Sequence, residues 1–281
     1  MAATFDQDET SRTLSADGLN FHYHEAGEGP PLLLLHGSGP GVSGWSNFGA
    51  NLPTFAAQFR TIVLDMAGFG RSDLPELDRQ YPAVAADAVS TFLSAMGIDS
   101  CHVLGNSMGG NVAGHLVLSE PERVERLVMM GPGGFAVNTF GPEVSEGGKR
   151  LGEFMRKPSR DAMVAWIETM VADPRSITDE LIDERMANAM EPGVIETVGK
   201  IFGTFFRFEN PNPLWARAHE IKHPTLITWG RDDRMLPLEG AMFPYRQLPN
   251  AELHVFARCG HWAQVERKEE FERVVVEFLT R

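Results

Sequence analysis

A six-residue stretch, Gly105-Asn106-Ser107-Met108-Gly109-Gly110, restricts what this 281-residue chain can fold into. The apolar run Cys101-His102-Val103-Leu104 leads into it. The helix-like run Asn111-Val112-Ala113-Gly114-His115-Leu116-Val117-Leu118 leads out. A G-x-S-x-G sequence between a strand and a helix is the signature of a nucleophile elbow. The turn is so sharp that side chains two residues before or after the serine would collide, and Gly105 and Gly109 carry none. Such a turn pushes the hydroxyl outward, and the next helix aims its first N–H groups at the reacting oxygen. Taken alone, the same letters also describe a glycine-rich corner with an incidental serine.

The rest of the chain repeats one pattern. Pro31-Leu32-Leu33-Leu34-Leu35, Thr61-Ile62-Val63-Leu64-Asp65, residues 124–130 and residues 224–230 are apolar runs of the kind found in strands buried on both faces of a parallel sheet. Residues 251–256 read as the last strand. Helical patterns over 45–59, 82–96, 239–248 and 269–280 separate or close these runs, so parallel βαβ units and a doubly wound sheet are expected. Ligands of such sheets bind at the carboxyl ends of strands. The glycine-rich loops at 36–41, 66–73 and 131–134 all fall there. At the start, residues 1–11 read as frayed. Asp17-Gly18 joins 13–14 to 20–25 in a hairpin. The alternation of Asn20-Phe21-His22-Tyr23-His24 puts His22 and His24 on a half-solvated outer face.

Between about Phe135 and Pro213 no buried strand is expected. Helical segments over 146–157, 160–171, 178–190 and 194–206 are rich in Met, Phe and Trp, among them Met163, Trp166 and Met170. Most of these residues read as helix-packing core. The segment as a whole reads as a lid whose apolar underside lines a pocket. The expected organisation is a core of 1–135 and 211–281 with a helical lid of 136–210.

Composition excludes several classes of function. A formal charge of −13 argues against a nucleic-acid partner. No apolar run reaches the roughly 20 residues of a membrane span. The polar, acidic stretch from Met1 to Arg12 does not read as a signal peptide, so a cytoplasmic location is expected. Cys101 and Cys259 read as reduced core thiols rather than a disulfide framework. No metal-ligand spacing, phosphate loop or dinucleotide fingerprint occurs, and no cofactor or metal is expected.

A serine hydroxyl needs a base within hydrogen-bond reach, and the base needs an orienting acid. His261, in Cys259-Gly260-His261-Trp262 after the last strand, is the outstanding base candidate. His102, His115 and His254 fall inside elements and read as packing residues, and His36 as a brace for its loop. For the acid, Asp233 is preferred to Asp232, which reads as a loop carboxylate paired with Arg231 or Arg234. The chain order Ser107, Asp233, His261 is that of α/β-hydrolase triads.

On these residues the chain resembles the meta-cleavage-product hydrolases, carbon–carbon bond hydrolases of the α/β-hydrolase superfamily. The resemblance runs from about residue 20 to the end. It is carried by Leu35-His36-Gly37-Ser38-Gly39-Pro40-Gly41, Gly44-Trp45-Ser46-Asn47, the Ser107 elbow, Met130-Gly131-Pro132-Gly133-Gly134, Trp229-Gly230-Arg231-Asp232-Asp233-Arg234 and His254-Val255-Phe256-Ala257-Arg258-Cys259-Gly260-His261-Trp262. It implies a mostly parallel, twisted, eight-stranded sheet flanked by helices, with the lid inserted after the sixth strand. It implies hydrolysis of 2-hydroxy-6-oxo-hexa-2,4-dienoates to a 2-hydroxydienoate and a carboxylic acid, without cofactor, by a protein that commonly self-associates. In its terms Ser107 is the nucleophile, His261 the base and Asp233 its orienter. The backbone N–H groups of Ser38 and Met108 form the oxyanion hole, and relatives usually have Gly at position 38. Asn47, Asn106, Trp262, Gly37 and Gly39 surround the substrate. Arg185 pairs with its carboxylate, unless it is a surface residue in an Asp183/Glu184 network. Met170 stands where relatives often carry an aromatic residue against the distal substituent. A carboxylesterase or perhydrolase would use the same triad, and a ligand-binding receptor built on the fold would keep it.

Overall fold

A computed structural model describes residues 5–136 and 144–281. One eight-stranded sheet organises them: β1 (Ser11–Ala16), β2 (Leu19–Ala26), β3 (Pro31–Leu35), β4 (Arg60–Leu64), β5 (Cys101–Asn106), β6 (Val124–Met130), β7 (Thr225–Gly230) and β8 (Ala251–Phe256). The spatial order is β1-β2-β4-β3-β5-β6-β7-β8. The β1–β2 and β2–β4 pairs are antiparallel and all others parallel. The order reverses between the neighbours β3 and β5, where a doubly wound sheet opens a crevice. Register sets Leu35 beside Gly105 and Asn106 beside Met130, so the loops after β3, β5 and β6 leave the sheet at one level.

The helices are α1 (Gln7–Thr10), α2 (Gly44–Phe48), α3 (Leu52–Ala56), α4 (Tyr81–Ala95), α5 (Met108–Ser119), α6 (Glu146–Arg156), α7 (Arg160–Ile167), α8 (Asp179–Ala189), α9 (Val194–Arg207), α10 (Leu214–Arg217), α11 (Glu239–Gln247), α12 (Ala263–Glu266) and α13 (Lys268–Leu279). Alternate strand residues point to opposite faces. Leu33, Leu35, Ile62, Leu64, Val103, Leu127 and Met129 join α4 and α5 in one core. Leu32, Leu34, Val63, Leu104, Val128 and Met130 join α2, α3 and α13 in another. Being buried on both faces is why these strands read as unbroken apolar runs. A third core unites Phe154, Met163, Trp166, Ile167, Met170 and Ile182 of the α6–α8 region with Trp262 of the sheet edge. The expected lid, 136–210, lies partly outside the described residues at 137–143.

Three expectations are corrected. Residues 7–11 are ordered elements: Asp6 caps α1, accepting from the Asp8 N–H, and Ser11 begins β1. His22 and His24 are buried, at 5% and 1% exposure. Their alternation reflects a buried polar network, in which Thr10 and Ser11 cover one side and Asp65 the other. The helix expected over 45–59 is broken into α2, a 3₁₀ turn at Gly49–Asn51 and α3. Pro53 lacks an N–H, and the buried Asn51 turns inward to Glu272 and the Gln264 carbonyl.

Candidate active site

Ser107 stands between β5 and α5 at φ 53° and ψ −111°, a conformation that a residue with a Cβ occupies only under constraint. The constraint is visible. The Ser107 N–H donates to the Met130 carbonyl at 2.9 Å, and its own carbonyl accepts from Asn111 and Gly133. A Cβ on Gly105 would lie 2.4 Å from the Gly109 oxygen, and one on Gly109 would lie 2.1 Å from the Leu35 oxygen. Both glycines are therefore required, one by the turn and one by the approach of α5 to β3. Ser107 caps α5, whose first N–H groups, Met108 included, carry the positive end of the helix dipole.

The loop after β8 supplies His261. Its Nδ1 donates to Asp233 Oδ2 at 2.7 Å, with both side chains almost fully buried. The other Asp233 oxygen accepts from the Met235 and Leu236 N–H groups at 2.8 and 2.9 Å. The carboxylate is thus fixed from both sides, and Nε2 of the ring is left for other work. Asp232 is exposed and pairs with Arg231 instead. The His261 and Trp262 N–H groups both reach the Met170 carbonyl, which ties this loop to the end of the α7 turn. That contact needs glycine at 260, where a Cβ would meet the Met170 oxygen at 2.7 Å.

Ser107 and His261 face the same cavity, lined also by Gly37, Ser38, Val42, Asn47, Asn106, Trp166, Met170, Arg185, Met235 and Trp262. No hydrogen bond joins Ser107 to His261 among the described residues; such contacts often tighten only around a substrate. The cavity measures about 20 Å³, room for roughly one water. A larger cleft of about 440 Å³ lies between the 39–43 loop, the 68–74 loop and residues 188–198, and Val42 borders both spaces.

Of the residues expected at the site, Ser107, His261, Ser38, Asn47, Asn106, Arg185, Trp262, Met170 and Gly37 line this cavity. Asp233, Met108 and Gly39 do not: Asp233 stands behind the His261 ring. Met108 is buried at the start of α5. Gly39 backs the wall, for a Cβ there would lie 2.5 Å from the Trp166 ring. Asn106 donates to the Met130 carbonyl, and Asn47 accepts from the Gly37 N–H at 3.4 Å. His36 is fully buried, donating from Nδ1 to the Gly37 carbonyl and accepting at Nε2 from the Met66 N–H. The expected brace is present. Burial holds its pKa low, so it stays neutral.

Arg185 is the electrostatic anomaly. It is 7% exposed, and its guanidinium stacks 5.5 Å from the Trp262 ring centroid. The surface network envisaged for it does not form, because Asp183 pairs with Arg160. Its Nη1 has no hydrogen-bond partner among the described residues. Burial pushes its pKa down to about 10, which still leaves it charged at neutral pH. An uncompensated buried cation is costly, and an anion in the cavity removes the cost.

Sequence reasoning missed Val42, Trp166 and Met235 as cavity residues. Trp166 was visible only as part of an aromatic, Met-rich helix, which does not separate packing from lining. Met235 follows Asp233 by two residues, the one signal available for it.

The α/β-hydrolase fold model matches residues 30–268. The chain is 41% identical over 276 residues to the 2-hydroxy-6-oxo-6-phenylhexa-2,4-dienoate hydrolase of Burkholderia cepacia, covering 95% of this chain and 94% of that one. It is 40% identical over 276 residues to a 2-hydroxy-6-oxononadienedioate/2-hydroxy-6-oxononatrienedioate hydrolase of Comamonas testosteroni, with the same coverages. Among solved structures, the meta-cleavage product hydrolase CumD of Pseudomonas fluorescens IP01, a serine-to-alanine mutant with acetates bound, superposes at a TM-score of 0.85. It is 32% identical and covers 98% of this chain and 99% of that one.

Proposed function

This chain belongs to the meta-cleavage-product hydrolases of the α/β-hydrolase superfamily, and from that premise we propose that it hydrolyses a carbon–carbon bond in 2-hydroxy-6-oxo-hexa-2,4-dienoates. The observation that carries the reading is Arg185. A buried guanidinium without a carboxylate partner among the described residues, in the same small cavity as Ser107 and His261, suits a substrate that brings its own carboxylate. Arginine holds a carboxylate bidentately and keeps its charge. An ester hydrolase has no use for it.

In the proposed reaction Arg185 holds the C1 carboxylate, with Asn47 and Asn106 beside the dienol. A proton shift from the 2-hydroxyl to C5 ketonises the dienol and turns C5 into a leaving carbon. His261 Nε2 takes the Ser107 proton as Oγ attacks the C6 carbonyl. The Ser38 and Met108 N–H groups receive the developing oxyanion, where one donor is worth about 10²–10³ in rate. The C5–C6 bond breaks, its electron pair passes through the C3–C4 double bond to the 2-oxygen, which takes the proton held by His261 as the 2-hydroxydienoate leaves, and the acyl group remains on Ser107. Water, deprotonated by His261, then releases the carboxylic acid. Asp233 keeps Nδ1 protonated and stabilises the imidazolium. The Ser38 side chain leaves this donor role intact, since it is the backbone N–H that acts.

Because the cavity holds only about one water, the α6–α9 layer is proposed to act as a lid that opens toward the cleft past Val42. The buried, unbridged Cys101 and Cys259 suit a reducing cytoplasm, and self-association is carried as part of the reading; fractionation and light scattering test these two points. The function itself is tested with a panel of yellow 6-substituted dienoates followed by visible absorbance. Bleaching that disappears in Ser107→Ala supports it. Colour that persists across the panel while simple esters are cleaved would replace it with the esterase reading.

A further inference from the structure

Two residues that line the cavity each carry a buried donor without a partner among the described residues, Arg185 at Nη1 and Trp166 at Nε1. The proposed function employs the first and leaves the second idle. Trp166 is 2% exposed and sits near the end of α7, tilted against Phe154 at 6.1 Å. Its benzo edge lies on Gly39, the residue after Ser38. It therefore neighbours the loop proposed to hold the oxyanion, and the group borne by the attacked carbonyl is the one that meets it. A buried N–H with no acceptor is retained at a cost unless a water or ligand oxygen completes it. The cavity offers space for about one such atom. Arg185 is the one cationic residue among those lining it, apart from the imidazole of His261. A second carboxylate at the far end would thus lie buried without a counter-charge.

We propose that Trp166 forms the distal subsite and donates from Nε1 to an uncharged oxygen on the substituent of the attacked carbonyl. This deepens the function proposed above and rests on it. The preferred substrates then bear a hydroxyl- or ether-type oxygen on the distal group. An unsubstituted phenyl leaves the N–H unpaired, and a distal carboxylate is poorly tolerated. Sites built to bond a substrate oxygen discriminate strongly against analogues that lack it.

The test compares 6-phenyl, 6-(hydroxyphenyl) and 6-(2-carboxyethyl) dienoates on the wild type and on Trp166→Phe, which keeps an aromatic ring and removes the N–H. The wild type is expected to favour the best hydroxyphenyl isomer over phenyl by about tenfold or more in kcat/KM. Trp166→Phe is expected to collapse that ratio to within about twofold while phenyl turnover survives. Equal wild-type values for the two, a wild-type preference for the carboxyethyl compound, or a ratio that persists in the variant would each overturn the proposal. If no dienoate is bleached, the parent function fails on its own. The subsite is then decided by calorimetry with benzoate and hydroxybenzoates, and by the Trp166 indole N–H resonance, which only an acceptor at that nitrogen would shift downfield. Tighter hydroxybenzoate binding with a shifted resonance sustains the subsite; equal binding or an unmoved resonance removes it.

Discussion

Among the described residues two buried histidine–aspartate pairs occur, and on paper they are hard to tell apart. His261 Nδ1 meets Asp233 Oδ2 at 2.7 Å, and His22 Nδ1 meets Asp65 Oδ2 at the same distance. Each is accompanied by a serine. Ser11 Oγ even bonds His22 Nε2 at 2.9 Å, a tighter arrangement than that of Ser107 and His261. What separates them lies around the residues. Asp65 also accepts from the Gly44 and Arg71 N–H groups, and those bonds with His22 outweigh burial and hold its pKa low. Ser11 lies within β1, with regular strand neighbours and no helix N-terminus behind it. Ser107 stands at positive φ as the cap of α5, facing a cavity whose cation, Arg185, has no partner for Nη1 among the described residues. Three side chains in series make a hydrogen-bonded network. A serine that faces a cavity from a helix N-terminus, with a buried cation across it, has in addition what nucleophilic chemistry requires.

The comparison is broken or sharpened first by removing the two hydroxyls. Ser107→Ala should lower kcat by roughly 10⁴–10⁶ with folding intact. Ser11→Ala should leave kcat within about twofold and cost about 1 kcal/mol in urea denaturation. Activity loss in the second variant would mean that the networks communicate. Next come the acids. Asp233→Asn should cost about 10³–10⁴ in kcat through the wrong imidazole tautomer. Asp65→Ala should instead lose about 3–5 kcal/mol of stability, because it strips a buried pair of one partner. Its kcat per folded molecule should hold. A large kcat loss there, read against active-site titration, would overturn the structural assignment of that pair.

What could be read from the sequence divides along the same line. Features imposed by backbone geometry were legible. The elbow glycines, the apolar strands and the order Ser107, Asp233, His261 each leave a mark in the sequence, and the preference for Asp233 over Asp232 rested on where this fold usually carries its acid, three residues after the glycine that ends the strand. Features produced by packing were not. His22 and His24 alternate as a solvated strand would, and nothing nearby signals that the chain start folds over them. Gly49, Asn51 and Pro53 punctuate the 45–59 pattern, yet the break depends on Asn51 finding Glu272, 221 residues away. Trp166 and Val42 became site residues only because α7 and the 39–43 loop meet.

Arg185 offers the next smaller effect. Arg185→Gln should cost about 10–10² in kcat/KM, mostly as KM, since a charge-assisted carboxylate contact of about 1.5–3 kcal/mol is present before and during reaction. Lysine should not restore it, because the planar, bidentate geometry is lost. An unchanged KM for dienoates, measured by initial rates of bleaching, would remove the carboxylate from this position.

The smallest effect belongs to the first network and is read as pH dependence of stability. Burial, with His22 nearby, pushes the His24 pKa down to about 4 from the ordinary 6.5. Its Nε2 has no partner among the described residues, which suits a neutral ring. The folded pKa lies below the unfolded one, so between the two the unfolded chain binds the extra proton. The stability that depends on neutral His24 is therefore whole above about pH 6.5 and lost as pH falls toward 4. His115, pushed down to about 4 mainly by burial, acts in the same window and direction. His24→Gln removes one of these titrations. Its free energy of unfolding, measured in urea, should fall less than that of the wild type across this window. Parallel losses in the two proteins would show that protonated His24 is accommodated in the fold. The polar network around Asp65 would then be tolerant of charge, unlike the pair at Asp233.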